Sequence, residues 1–200
     1  GQFQAVTATP EGWLAAGTIR FYESDEDGVL WTSVDGRTYT PVGDDPDNGP
    51  LDAPDHQGVI SLAADNGGYL AVGWDAPDSF REGGVSASGP GSAAVWTSPD
   101  GETWDRVASD SFSGDGYTVM MDVVAGGPGH VAVGAEYIEF SNNGVVWHSA
   151  DGAEWHRVTS THPHADQPKA LAAVAVGPQG FIAVGSGGVW ASGSFDLPED

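Results

Sequence analysis

The chain has no cysteine and only six basic residues, five arginines and the single Lys169. Without thiols there is neither a disulfide framework nor thiolate chemistry. Against those six stand 29 acidic residues, for a formal net charge of −23. A surface of that sign repels phosphate backbones and anionic lipid headgroups. Nucleic acid and membrane insertion are therefore set aside as partners, while solubility and cation binding are favoured. No apolar run approaches the roughly 18 residues that span a bilayer, and no stretch keeps a helical heptad. The opening residues lack the charged segment and apolar core of a secretory leader. A cysteine-free acidic chain fits the cytoplasm and many bacterial secreted proteins alike; the expectation taken forward is an extracellular or cell-surface protein.

What is present in quantity is glycine (30), proline (13) and tryptophan (8), the mixture expected of many short strands joined by turns. Four cassettes align: GWLAAG from Gly12 to Gly17, GYLAVG from Gly68 to Gly73, GHVAVG from Gly129 to Gly134, and GFIAVG from Gly180 to Gly185. Their spacing of about 50 to 60 residues is that of arrays whose repeat is one small sheet. An alternating apolar stretch precedes each cassette: FQAVTAT, VISLAAD, VMMDVVAG and LAAVAVG. A third strand ending on a tryptophan follows: VLWTS, AVWTS, VVWHS and GVWAS. The expected fold is all-β, a β-propeller of four imperfect antiparallel blades with the last incomplete. The blades lie near residues 1–58, 59–117, 118–169 and 170–200 of a single domain, with inner strands near 3–9, 59–65, 119–125 and 171–177. Trp31, Trp96, Trp147 and Trp190 are expected at equivalent, largely buried positions between blades.

Three of the units continue into a turn and a fourth strand: SVDGRTYTPV, SPDGETWDRV and SADGAEWHRV. Asp35, Asp100 and Asp151 can accept bonds from N–H groups two residues on, and Gly36, Gly101 and Gly152 supply the positive φ of a tight hairpin. Tyr39, Trp104 or Trp155 can then fold back and fix the turn to the sheet. These residues resemble the Asp box of sialidase-like (BNR-repeat) propellers, Ser-x-Asp-x-Gly-x-Thr-Trp, with one residue fewer between Asp and Gly. The matching positions are Ser33, Asp35, Gly36, Thr38, Tyr39; Ser98, Asp100, Gly101, Thr103, Trp104; and Ser149, Asp151, Gly152, Glu154, Trp155. The resemblance implies a structural motif that lies away from any active site. It also makes a sialidase-like glycoside hydrolase, or a fragment of one, the alternative function. Such enzymes hold the substrate carboxylate with three arginines and use a Tyr nucleophile paired with Glu. Here Arg37, Arg106 and Arg157 flank the outer turns, which leaves only Arg20 and Arg81.

The function expected is a non-catalytic binding or assembly module for a glycan or protein ligand, since loops on a propeller host binding without any catalytic group. The longest insertion begins at Trp74 and carries Trp74, Asp75, Phe80 and Arg81, aromatics beside polar groups that can stack on a sugar ring or anchor a partner. His156, His162, His164 and Asp166 read as exposed loop residues, and Asp44, Asp45, Asp47 and Asp52 as an acidic loop. The fourth unit lacks the turn and outer strand. Either it has three strands, or Phe195 to Leu197 completes it poorly, or another chain supplies the strand. A third strand left with an open edge is either blocked by the terminal acids and Pro198, or used by a second copy in a homo-oligomer. Glu23, Asp25 and Asp27 approximate the alternating carboxylates of a calcium loop ending on Gly28. Calcium is accordingly expected to raise the melting temperature by binding the native state, and Asp25→Ala to remove the increment. Identical melts in calcium and in chelator would leave an ordinary hairpin.

Overall fold

The computed structural model describes residues 2–20, 26–43, 51, 56–65, 67–77, 91–127, 129–139, 141–160, 169–191 and 195–196. These residues form four antiparallel sheets in chain order, an all-β arrangement compatible with a β-propeller. The first holds β1 (Gln2–Thr9), β2 (Gly12–Arg20), β3 (Glu26–Ser33) and β4 (Thr40–Pro41). The second holds β5 (His56–Asp65), β6 (Gly68–Ala76), β7 (Ser92–Ser98) and β8 (Asp105–Arg106). The third is built on β9 (Tyr117–Ala125), β10 (His130–Ile138), β11 (Ser141–Ser149) and β12 (His156–Ser160). The fourth has β13 (Leu171–Gly177), β14 (Gly180–Gly185) and β15 (Gly188–Ala191). A short 3-10 turn, Asp110–Phe112, links the second sheet to the third.

Each letter of the repeated cassette has a physical job. The opening glycines have φ values of +148°, +135°, +115° and +118°, where L side chains are strained. A Cβ on Gly12, Gly68 or Gly129 would also overlap the carbonyl oxygen of Ser33, Ser98 or Ser149 at the end of the third strand. The closing glycines face a bulge: all four inner strands shift register there, between Phe3 and Ala5, at Val59 and Ser61, opposite Val133 and Gly134, and between Leu171 and Ala173. A Cβ on Gly17, Gly73, Gly134 or Gly185 would overlap the inner-strand carbonyl of Gln2, Gly58, Val119 or Ala170. The bulge thus demands a residue without a side chain. The central alanine is small because a tryptophan lies opposite it on the third strand. The pairs are Ala15 with Trp31, Ala71 with Trp96, Ala132 with Trp147 and Ala183 with Trp190.

The alternation of a strand then divides every sheet into two faces. One carries the tryptophan and the alanine. The other carries the aliphatic residues flanking that alanine, such as Leu14 and Ala16 or Leu70 and Val72. Three clusters form the core, each made by the aliphatic face of one sheet against the tryptophan face of the next. Leu14, Ala16 and Leu30 meet Ala71, Trp96 and Trp104; Leu70, Val72 and Val95 meet Ala132, Trp147 and Trp155; Val131, Val133 and Val146 meet Phe181 and Ala183. The inner strands pack in series, β1 on β5, β5 on β9 and β9 on β13.

Three sequence expectations need correction. Trp96 and Trp147 are buried, but Trp31 and Trp190 are only half-buried. Trp31 lies on the tryptophan face of the first sheet, which none of the three core clusters includes, and Trp190 has no described outer strand beyond it. The segment Phe195–Asp196 does not complete the fourth sheet; it pairs antiparallel with β12 as β16 and makes the third sheet five-stranded. His156 stands on β12 rather than in a loop, exposed and 3.6 Å from Glu154. His162, His164, Asp166 and the acidic residues Asp44, Asp45, Asp47 and Asp52 lie outside the described residues.

The three turns after β3, β7 and β11 close in the same way. Ser33, Ser98 and Ser149 each accept from the glycine N–H through Oγ at 2.7–2.9 Å. Oδ1 of Asp35, Asp100 and Asp151 accepts from the next two N–H groups after that glycine at 2.8–3.0 Å. The indoles of Trp104 and Trp155 donate to the carbonyls of Gly101 and Gly152. Those backbone donors, Thr103 before Glu102 at Asp100, hold the carboxyls below the ordinary value of 3.8. A carboxyl lowered in the folded state stabilises the fold above its unfolded value and loses that contribution as pH falls through the folded one. Asp100→Asn should therefore lower the melting temperature at neutral pH. The gap to wild type should close as the pH drops below about 4; a gap independent of pH would show that charge plays no part.

Candidate functional site

The hydrogen-bonded turns occupy one end of the sheets, where the third strands finish. At the opposite end the middle strands finish and the inner and third strands begin, and polar side chains gather there despite their burial. The backbone N–H of Glu26, at the start of β3, donates to His56 Nδ1 at the start of β5 at 3.0 Å. The Glu26 carboxylate also bears on Tyr117 at the start of β9. Strand ends from two sheets thus meet in a hydrogen bond, and the Glu26 charge reaches a third. Burial first, then the charges of Tyr137 and Glu26, push the Tyr117 phenol well above its ordinary value of 10.0. It therefore stays a neutral hydroxyl, suited to hydrogen bonding rather than nucleophilic attack. Its ring stacks on Tyr137 with centroids 6.1 Å apart.

Trp74 lies at this same end on β6. Its indole crosses Gly58 so closely that a Cβ there would fall 2.6 Å from Nε1 and 3.0 Å from Thr18 Oγ1 of the first sheet. The indole is half-buried. Asp75 follows it, and its Oδ2 accepts from Arg106 Nη2 at 3.1 Å. The Arg106 guanidinium sits 4.7 Å over Trp96, and burial lowers its pKa against the opposing pull of Asp75. The third sheet repeats the device. Arg157 lies 5.7 Å over Trp147 and donates to Glu136 Oε2 at 3.2 Å, to the Ser111 carbonyl at 2.9 Å and to Thr118 Oγ1 at 3.3 Å. Glu136 Oε1 also accepts from the Asp115 N–H at 2.7 Å.

Of the residues singled out from sequence, Trp74 and Asp75 are adjacent at this end, and Asp27 is buried at the start of β3 opposite Ile19. Glu23, Asp25, Phe80 and Arg81 lie outside the described residues. Among the described residues no three His, Asp or Glu side chains gather as a metal set. Sequence reasoning missed the Trp–Arg–acid stacks, although a signal was present. Asp75 and Glu136 both stand two places past a cassette's closing glycine, and Arg106 and Arg157 both stand two places past the turn's tryptophan. His56 and Tyr117 share an offset as well, each three residues before the inner-strand residue that faces a closing glycine, Val59 at Gly73 and Met120 at Gly134.

No family model matches the chain, and neither the curated proteins nor the solved structures contain a match. The chemistry must be read from the geometry alone. The two described stacked arginines are engaged by an indole and a carboxylate, and Arg37 belongs to a turn at the far end. The Glu136–Arg157 pair, mostly buried and multiply bonded, should show a coupling of about 1–2 kcal/mol in a Glu136→Gln, Arg157→Met double-mutant cycle measured by urea unfolding. The exposed His156–Glu154 pair should show none that is measurable. Equal coupling in the two pairs would contradict this account.

Proposed function

We propose that this chain is a non-catalytic binding module of β-propeller type, presenting its ligand site at the end opposite the Ser-x-Asp-Gly turns and taking a neutral glycan there. The observation that carries the reading is the hydrogen bond between Glu26 and His56 from two sheets, with Tyr117 of a third within reach of the Glu26 charge, at the end of the sheets that also carries the half-buried indole of Trp74. Aromatic faces next to fixed hydrogen-bonding groups suit a sugar, whose C–H faces stack while its hydroxyls are bonded. The net charge of −23 favours neutral over acidic sugars. The propeller reading is supported by the fourfold cassette and by the serial packing of the inner strands. The resemblance of the turns to Asp boxes supports placing the site away from them.

Hydrolysis of the sialidase kind is less well supported. It needs an activated tyrosine and convergent arginines, whereas Tyr117 is raised by burial and Arg106 and Arg157 are each tied to their own acid. A glycan array followed by titration calorimetry tests the proposal. A neutral oligosaccharide should bind, and Trp74→Ala should weaken it roughly tenfold, about 1.4 kcal/mol, while Val34→Ala at the far end changes nothing. Turnover of aryl glycosides or sialosides that Tyr117→Phe abolishes would replace binding by catalysis.

A further inference from the structure

Among the described residues eight large apolar side chains are exposed, and seven of them lie on just two surfaces. Phe3, Val6, Trp13 and Tyr39 stand on the tryptophan face of the first sheet; Ile182, Val184 and Val189 stand on the aliphatic face of the fourth. The repeat register shows that neither surface is inherently a solvent face. Phe3 is 61% exposed, while the residues at its position in the other sheets, Val59, Met120 and Leu171, are fully buried. Val189 is 68% exposed, while its counterparts Leu30, Val95 and Val146 are buried. Ile182 likewise matches Leu14, Leu70 and Val131, all buried.

Inside the chain every sheet contact has one polarity, aliphatic face of one sheet to tryptophan face of the next. Among the described residues no sheet covers the tryptophan face of the first sheet or the aliphatic face of the fourth. The two uncovered surfaces are therefore the two halves of the same contact that the molecule makes three times within itself.

From this we infer that a second copy of this chain docks head to tail, the fourth sheet of one copy on the first sheet of the other, continuing the internal packing across the boundary. A heterologous contact of this kind closes into a ring where the rotation allows and otherwise extends; both outcomes contain the same interface. The contact is face to face, so it does not need strand addition at the edge of β15. Because each copy carries a charge of −23 and the surfaces are apolar, salt should strengthen the association by screening, the reverse of an ion-paired interface.

Sedimentation of the chain at high micromolar concentration in 0.1 and 1 M salt, both on the order of or above physiological strength, reads the outcome. Dimers or longer assemblies should form and increase with salt. Val6→Asp and Ile182→Asp, each at an exposed position that leaves the fold intact by circular dichroism, should both give monomers, with Val34→Asp unaffected. Mixing the Val6→Asp and Ile182→Asp chains should restore a one-to-one pair, since one undamaged face from each remains. A wild-type monomer in both salts overturns the inference. So does a mixture that stays monomeric, or an assembly lost in only one of the two variants, which would mean a symmetric contact. Association persisting in both variants overturns it as well and points to the edge of β15.

Discussion

Everything in this molecule depends on the register between the middle and third strands, which sets an alanine opposite a tryptophan in each of four sheets. The small residue lets the indole lie across the strand pair instead of standing away from it, and the broad surface so made receives the branched side chains of the preceding sheet. Interiors tolerate little mismatch in volume, so a larger residue at Ala71 or Ala132 would lift the ring and push neighbouring sheets apart. The glycines at both ends of the cassette serve the same register. One admits the third strand's carbonyl and the other the bulged inner strand.

The two ends of the sheets are specialised by the same geometry. Where the third strand finishes, Ser, Asp and Gly complete a turn that uses its polar groups internally, so that end has little left to offer a ligand. Where the middle strand finishes, loops of unequal length emerge, and the side chains beside them come from different sheets. Function can vary at that end without disturbing the turns that hold the repeats together.

The cassettes, the turns and the four-sheet organisation were legible because each is local: a strand, a hairpin, a glycine that only one backbone shape accepts. The inner strands fall within a few residues of their sequence assignment for this reason. The site was legible only at Trp74, Asp75 and Asp27, through loops that stood out by length or acidity. The bond of the Glu26 N–H to His56 was not, since it depends on how successive sheets rotate past one another, which no short pattern encodes. The half-burial of Trp31 and Trp190 has a similar origin. Trp31 stands in the same strand-and-turn context as Trp96 and is set apart by its place in the array, while Trp190 lacks the turn and outer strand that follow the other three. The pairing of Phe195–Asp196 is equally hidden, because two residues specify a strand but not its partner.

Asp122 belongs among the features that couple the sheets. Its position at the inner-strand bulge is held by Ala5, Ser61 and Ala173 in the other units. Its Oδ1 accepts from Ser61 Oγ at 2.7 Å in the second sheet, and its Oδ2 from the N–H of Val174 at 2.8 Å in the fourth. One carboxylate thus has its two oxygens committed to opposite neighbours, and opening either neighbour strips a partner from a charge that is partly shielded from water. The second, third and fourth sheets are thus linked through a single side chain. The first, with Ala5 in that place, has no such link at its bulge and is held to the second by the apolar cluster of Leu14, Leu30, Trp96 and Trp104, so local opening there is resisted by packing rather than by a shared charge.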